Sequence, residues 1–153
     1  MKKRYRIMLT ALSLLIVAGL GLMAFVRLAP SDAVVWHVDP ATIAKPEKSN
    51  AWLVREGGDA PALSLSMTPD QVMAKLDAIA LATPRTALLA GDGWHKTWVT
   101  RSAAMGYPDF TSVRLEPAGQ GTKVVLLARS RFGESDFGVN KARAEDWLAQ
   151  LSR

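Results

Sequence analysis

Residues 123–130 read Lys123-Val124-Val125-Leu126-Leu127-Ala128-Arg129-Ser130, and this stretch decides the architecture. Val124 to Leu127 are consecutive and apolar, so a strand built from them has no polar face. Such a strand belongs at the centre of a sheet, covered on both sides. Just upstream, Pro117-Ala118-Gly119-Gln120-Gly121 is a hairpin-like connection back to a strand over Ser112–Glu116. Further strands are predicted at Lys96–Arg101 and Thr86–Leu89, joined by the turn Gly91-Asp92-Gly93.

The same outward reading finds two helices. Leu63, Leu65 and Met67 alternate with Ser64 and Ser66, the period of a half-buried strand. Thr68-Pro69-Asp70-Gln71 then starts a helix: Thr68 caps, Pro69 suits the first turn and Gln71 completes a capping box. Val72, Met73, Leu76, Ile79 and Ala80 form one stripe, and Pro84 ends the helix near Thr83. Downstream, a second helix is predicted from Asn140, read as its cap, to about Leu151, with Ala144, Trp147, Leu148 and Leu151 buried. A strand, a helix, a run of antiparallel strands and a closing helix make an α+β, two-layer domain over residues 62–153.

Ahead of it, residues 29–61 carry Pro30, Pro40, Pro46 and Pro61 and read as a tether or lead-in. Within it, Val34, Val35, Trp36 and Val38 are too apolar to hang in water, so the piece is expected to pack on the domain or lie on a membrane. Trp36 fits either a headgroup level or a core. Residues 1–28 form a third unit. Ile7 to Val26 holds no charge and is long enough for a helix crossing a ~30 Å hydrocarbon core. Lys2, Lys3, Arg4 and Arg6 precede it and Arg27 follows, which predicts a cytoplasmic N-terminus and an exported C-terminal domain. The length of the run and the poor Gly19-Leu20-Gly21 cleavage site favour an uncleaved signal anchor over a removable signal. The expected location is a bacterial inner membrane, single-pass, with a periplasmic domain.

Charge and composition exclude several functions. The net charge is +5, and Lys2, Lys3, Arg4, Arg6 and Arg27 account for all of it. Of 19 Lys and Arg, the remaining 14 face 14 Asp and Glu, so the exported part is neutral and nucleic acid is not an expected partner. The chain has no cysteine, which removes disulfides, thiol nucleophiles and thiolate metal sites. His37 and His95 are its only histidines; His37 and Asp39 offer two ligands where a stable metal site takes three or four. A trio of Ser102, His95 and Asp109 is available but lacks any motif. No cofactor is expected.

The densest polar stretch runs from Arg129 to Asn140. Arg129 and Arg131 share a strand face, Arg101 ends a neighbouring strand, and the free N–H groups of the second helix follow. Arg101, Arg129, Arg131, Asp136, Asn140 and Arg143 are therefore the candidate ligand-binding residues, for a carboxylate, a phosphate or a lipid headgroup. The competing expectation is an internal ion-pair network in which Asp109 and Asp136 neutralise Arg101 and Arg131 and Arg143 joins.

Trp36-His37-Val38-Asp39-Pro40, Thr100-Arg101-Ser102, Gly106-Tyr107-Pro108-Asp109 and Ser130-Arg131-Phe132-Gly133 through Asp136-Phe137-Gly138-Val139-Asn140, with Arg143, carry a resemblance. Over about residues 29–153 the chain resembles the bacterial domain-of-unknown-function family numbered 1499. The resemblance implies an envelope setting and supplies no catalytic residue. The expectation is a non-enzymatic envelope role, binding an anionic or lipid ligand or a membrane partner not identified by the sequence. The alternatives are a hydrolase or transferase acting on an envelope component, with Arg101, Arg129 and Arg131 holding its substrate, and a scaffold without a ligand.

Overall fold

The computed structural model describes residues 2–153. Helix α1 spans Lys2–Leu28, and its apolar side chains are almost all exposed. It is long and apolar enough to cross a membrane. A single turn, α2 (Ala33–Trp36), follows, started by the Asp32 carboxylate accepting the Val34 N–H at 2.9 Å.

The sheet contains β1 (Ala51–Val54), β2 (Leu63–Leu65), β3 (Thr86–Asp92), β4 (His95–Arg101), β5 (Pro108–Ala118) and β6 (Gly121–Ser130). Every pairing is antiparallel, in the order β1-β6-β5-β4-β3, and β2 also pairs with β6 beyond the end of β1. β1 and β2 thus form one interrupted edge strand. Asp59 holds the interruption: its carboxylate accepts the Leu53 N–H at 2.8 Å and pairs with Lys45 at 2.6 Å. The sheet therefore begins inside the stretch read as a lead-in, because β1 gains its partner only when β6 is present.

β6 is an interior strand, paired on both edges and covered on both faces, as its sequence requires. Val124, Leu126 and Ala128 face α3 (Pro69–Ala82) and α4 (Val139–Leu151), together with Val113, Leu115 and Trp98. Both halves of the Thr68–Gln71 capping box are present. On the opposite face Val125 and Leu127 are also fully buried. This face is crossed by residues 30–40, a strap that includes the turn α2 and runs from β6 across β5 to β4, with Ala41 and Thr42 beside Val125. Trp36 stacks on Phe110 with centroids 4.2 Å apart, and Arg129 lies 4.7 Å above the Trp36 ring. Trp36 accordingly packs on the sheet.

One cap differs from the expectation. Asn140 does not cap α4; it lies one residue inside it and is 1 % exposed. The N-cap position falls to Gly138, at φ +82°, and the Asp136 carboxylate does the capping. It accepts the Gly138 N–H at 3.0 Å and the Asn140 N–H at 2.7 Å. A carboxylate there also suits the positive end of the helix dipole better than an amide.

Candidate functional site

The six candidate residues fall into two groups: strand alternation puts Arg101, Arg129 and Arg131 on one face of the sheet, while Asp136, Asn140 and Arg143 belong to α4 and the loop that caps it, on the other. Thr100, Asp109 and Ser130 are register partners and face the helices. Asp109 accepts a hydrogen bond from Ser130 Oγ at 2.6 Å and forms an ion pair with Arg143 at 2.9 Å. Arg143 also donates to Asn140 Oδ1 at 2.9 Å, and Asn140 Nδ2 donates to Ser130 Oγ and to the Asn50 carbonyl. Every member has a partner and the ion pair is about nine-tenths buried. This half is a closed internal network that joins β1, β5, β6 and α4.

The other half is open. Arg101, Arg129 and Arg131 occupy the strap face, where Asp109 and Asp136 do not reach them. Among the described residues, none of the three forms an ion pair, and neither does Arg27. Their donors go to neutral acceptors. Arg129 donates to the Val35 carbonyl at 3.2 Å and Arg131 to the Pro30 carbonyl. Arg101 reaches the Gly106 carbonyl at 3.1 Å and Ser31 Oγ at 3.5 Å, and Arg27 the Ala104 carbonyl at 3.1 Å. A guanidinium carries five N–H donors, and other protein groups take one or two of those on each of these arginines. Burial holds the Arg129 pKa below its usual value, though an arginine stays charged. Arg27 belongs to this group and was not a sequence candidate. It arrives from α1 and packs on Gly106, whose absent Cβ would lie 2.9 Å from Arg27 Cγ.

A second cluster lies at the far end of β4. His37 and His95 stack with centroids 4.0 Å apart beside a cavity of about 710 Å³ that Asp39, Asp92 and Arg114 also line. His37 Nδ1 is 2.8 Å from Thr97 Oγ1, which is 2.8 Å from Ser112 Oγ, which donates to the Trp36 carbonyl at 3.4 Å. The Ser112 proton is committed to a carbonyl, so Thr97 donates to Ser112 and accepts from His37 Nδ1–H. His95 Nε2 donates to the Val38 carbonyl at 3.0 Å. Both rings are thus tied to the strap and its floor. Among the described residues no three His, Asp or Glu side chains converge as metal ligands. Ser102 and His95 lie near opposite ends of β4, and Asp109 is held by Arg143, so that trio does not assemble.

Burial, then the neighbouring His95, holds the His37 pKa below the ordinary 6.5, against the pull of Asp39 and Asp92. Below about pH 6.5 the unfolded chain binds a proton that folded His37 resists, so stability rises with pH in that window and is flat above it. Acidification from about pH 7 to about pH 5 is expected to lower the thermal midpoint of the full-length protein, and His37→Gln to shrink that drop. Identical profiles for the two proteins would contradict the assignment.

This is an antiparallel α+β domain strapped on one face and carried behind a long apolar helix. The chain belongs to the family described as "Protein of unknown function (DUF1499)", whose model matches residues 37–151, from within the strap to the last residue of α4. Among solved structures it is similar to TTHA0849 from Thermus thermophilus, at 14% identity over 65% of this chain and 86% of that chain, with a TM-score of 0.32. No curated protein matches.

Proposed function

We propose that this protein is a single-pass inner-membrane protein, cytoplasmic at its N-terminus, whose periplasmic domain binds an anionic ligand at the end nearest the bilayer, without catalysis. The observation that carries this reading is the grouping of Arg27, Arg101, Arg129 and Arg131 around residues 30–35 and 104–106, with no carboxylate among the described residues paired to any of them. Arginines with spare parallel donors suit carboxylate and phosphate geometry. The four basic residues before the apolar run against one after it support the orientation.

Native mass spectrometry of the full-length protein, extracted gently from its own membrane, tests it. The expected spectrum carries a reproducible anionic adduct that Arg131→Ala removes while the near-ultraviolet signature of the tryptophan core persists. A bare protein mass in both would overturn the reading.

A further inference from the structure

At the same end of the domain, loops 102–107 and 131–139 enclose a cavity of about 340 Å³. Tyr107, Phe132, Phe137 and Val139 form its apolar walls, and the Asp109 and Asp136 carboxylates that also line it are already engaged, Asp109 by Arg143 and Asp136 by the N–H groups of Gly138 and Asn140. An aromatic series connects it to the last turn of α1: Phe25 meets Phe132 edge-on at 6.2 Å, and Phe132 meets Tyr107 at 5.8 Å. The Arg131 guanidinium lies 5.3 Å over the Phe132 ring. Phe137, at the lip, is 97% exposed and sits at φ +55°, a region that a bulky residue rarely adopts. The loop holds it there. Ser135 Oγ accepts the Phe137 N–H at 3.3 Å, and the Asp136 carboxylate pins the N–H groups of Gly138 and Asn140 that follow.

We infer that this groove holds one anionic phospholipid of the leaflet from which α1 emerges, with Phe137 as a wedge inserted among its acyl chains. The inference rests on the reading of α1 as an anchor and of the arginines as an anion site, and it names the ligand class. Two observations select a lipid over a soluble anion or a protein segment. The groove is continuous with the end of α1, which places it at the level where aromatic side chains gather in membrane proteins. Its Phe132 wall adjoins the Arg131 guanidinium, which forms no ion pair among the described residues, the complement of a molecule with a phosphate at one end and hydrocarbon at the other. In that pose the phosphate lies on Arg131, next to Arg27 and Arg101, and the glycerol and upper chain lie against Phe132 and Val139.

The cysteine-free chain allows single spin labels in the full-length protein in phosphatidylglycerol nanodiscs. Labels at Leu15→Cys in α1, Val139→Cys at the groove and Gln120→Cys in the distant β5–β6 hairpin are compared by collision with oxygen, which enters lipid, and with a nickel chelate, which does not. Oxygen should dominate at 15 and 139 and nickel at 120. Adding Phe137→Asp should turn the 139 label to the nickel profile, with the tryptophan near-ultraviolet spectrum unchanged. A 139 label matching the 120 label, while the 15 label reports lipid, overturns the groove and leaves the anchor standing. A nickel-dominated 15 label overturns the anchor and the groove together. Replacing phosphatidylglycerol by phosphatidylcholine should move the 139 label outward; an unchanged depth overturns the anionic part.

Discussion

Arg143→Ala is expected to lower unfolding stability by about 3–5 kcal/mol, a large share of the roughly 5–15 kcal/mol that holds a domain of this size. The Arg143 and Asp109 side chains are only 11% and 10% exposed, so removing the cation strands a carboxylate among Ser130, Asn140 and the sheet. Ser130 Oγ still donates to it, but one hydroxyl does not replace an ion pair. The loss should spread, because Asn140 gives up its Arg143 partner while still bridging Asn50 and Ser130. Urea unfolding of the detergent-solubilised protein, read by tryptophan fluorescence, measures it. Combining Arg143→Met with Asp109→Leu should recover much of the loss, since replacing both charges leaves no ion unpaired. A single variant within about 1 kcal/mol of the parent would show that the pair does not carry the network.

The second large effect is expected at Trp147. Its ring is fully buried and meets Trp98 edge-on at 5.8 Å and 88°, between α4 and the sheet. Its Nε1 donates to Thr83 Oγ1 at 2.9 Å, which ties α4 to the end of α3. Trp147→Ala should cost about 3–5 kcal/mol through lost burial and the cavity left behind. Trp147→Phe keeps an aromatic ring against Trp98 and gives up the hydrogen bond, so it should cost less than half as much. Urea unfolding followed by far-ultraviolet circular dichroism separates them, because that signal reports the sheet and helices and does not depend on the indole that both variants remove. Equal midpoints for the two variants would mean that the indole N–H, and not the packing, holds α4 in place.

What the sequence made legible follows a physical division. α3 and β6 were readable because their signals are local: a capping box with an apolar stripe, and an apolar run with no polar face. β1 was not. Ala51-Trp52-Leu53-Val54 is short and set between prolines, and it becomes a strand only by pairing with Arg129 through Leu126. The arginines show the same limit. Arg101, Arg129, Arg131 and Arg143 stand out in the chain, but their partners depend on strand register. Register puts Asp109 on the helix face with Arg143 and leaves the other three on the strap face. The cap of α4 falls two residues ahead of Asn140, at Gly138, enough to turn an expected surface cap into a buried bridge. Arg27 escaped notice as a site residue because it belongs to the apolar helix and reaches Ala104 only in three dimensions.

The strap has a mechanical consequence. Only Ala29 separates the last residue of α1, Leu28, from Pro30, whose carbonyl already holds Arg131. No slack chain lies between the helix and the sheet. Tilt or rotation of α1 is therefore delivered through Pro30, Val35 and Trp36 to β6 and β5, the two strands that share the longest paired register. The domain behaves as a lever fixed to its axle: it cannot reach far from its own helix, and whatever turns that helix turns the arginine face with it.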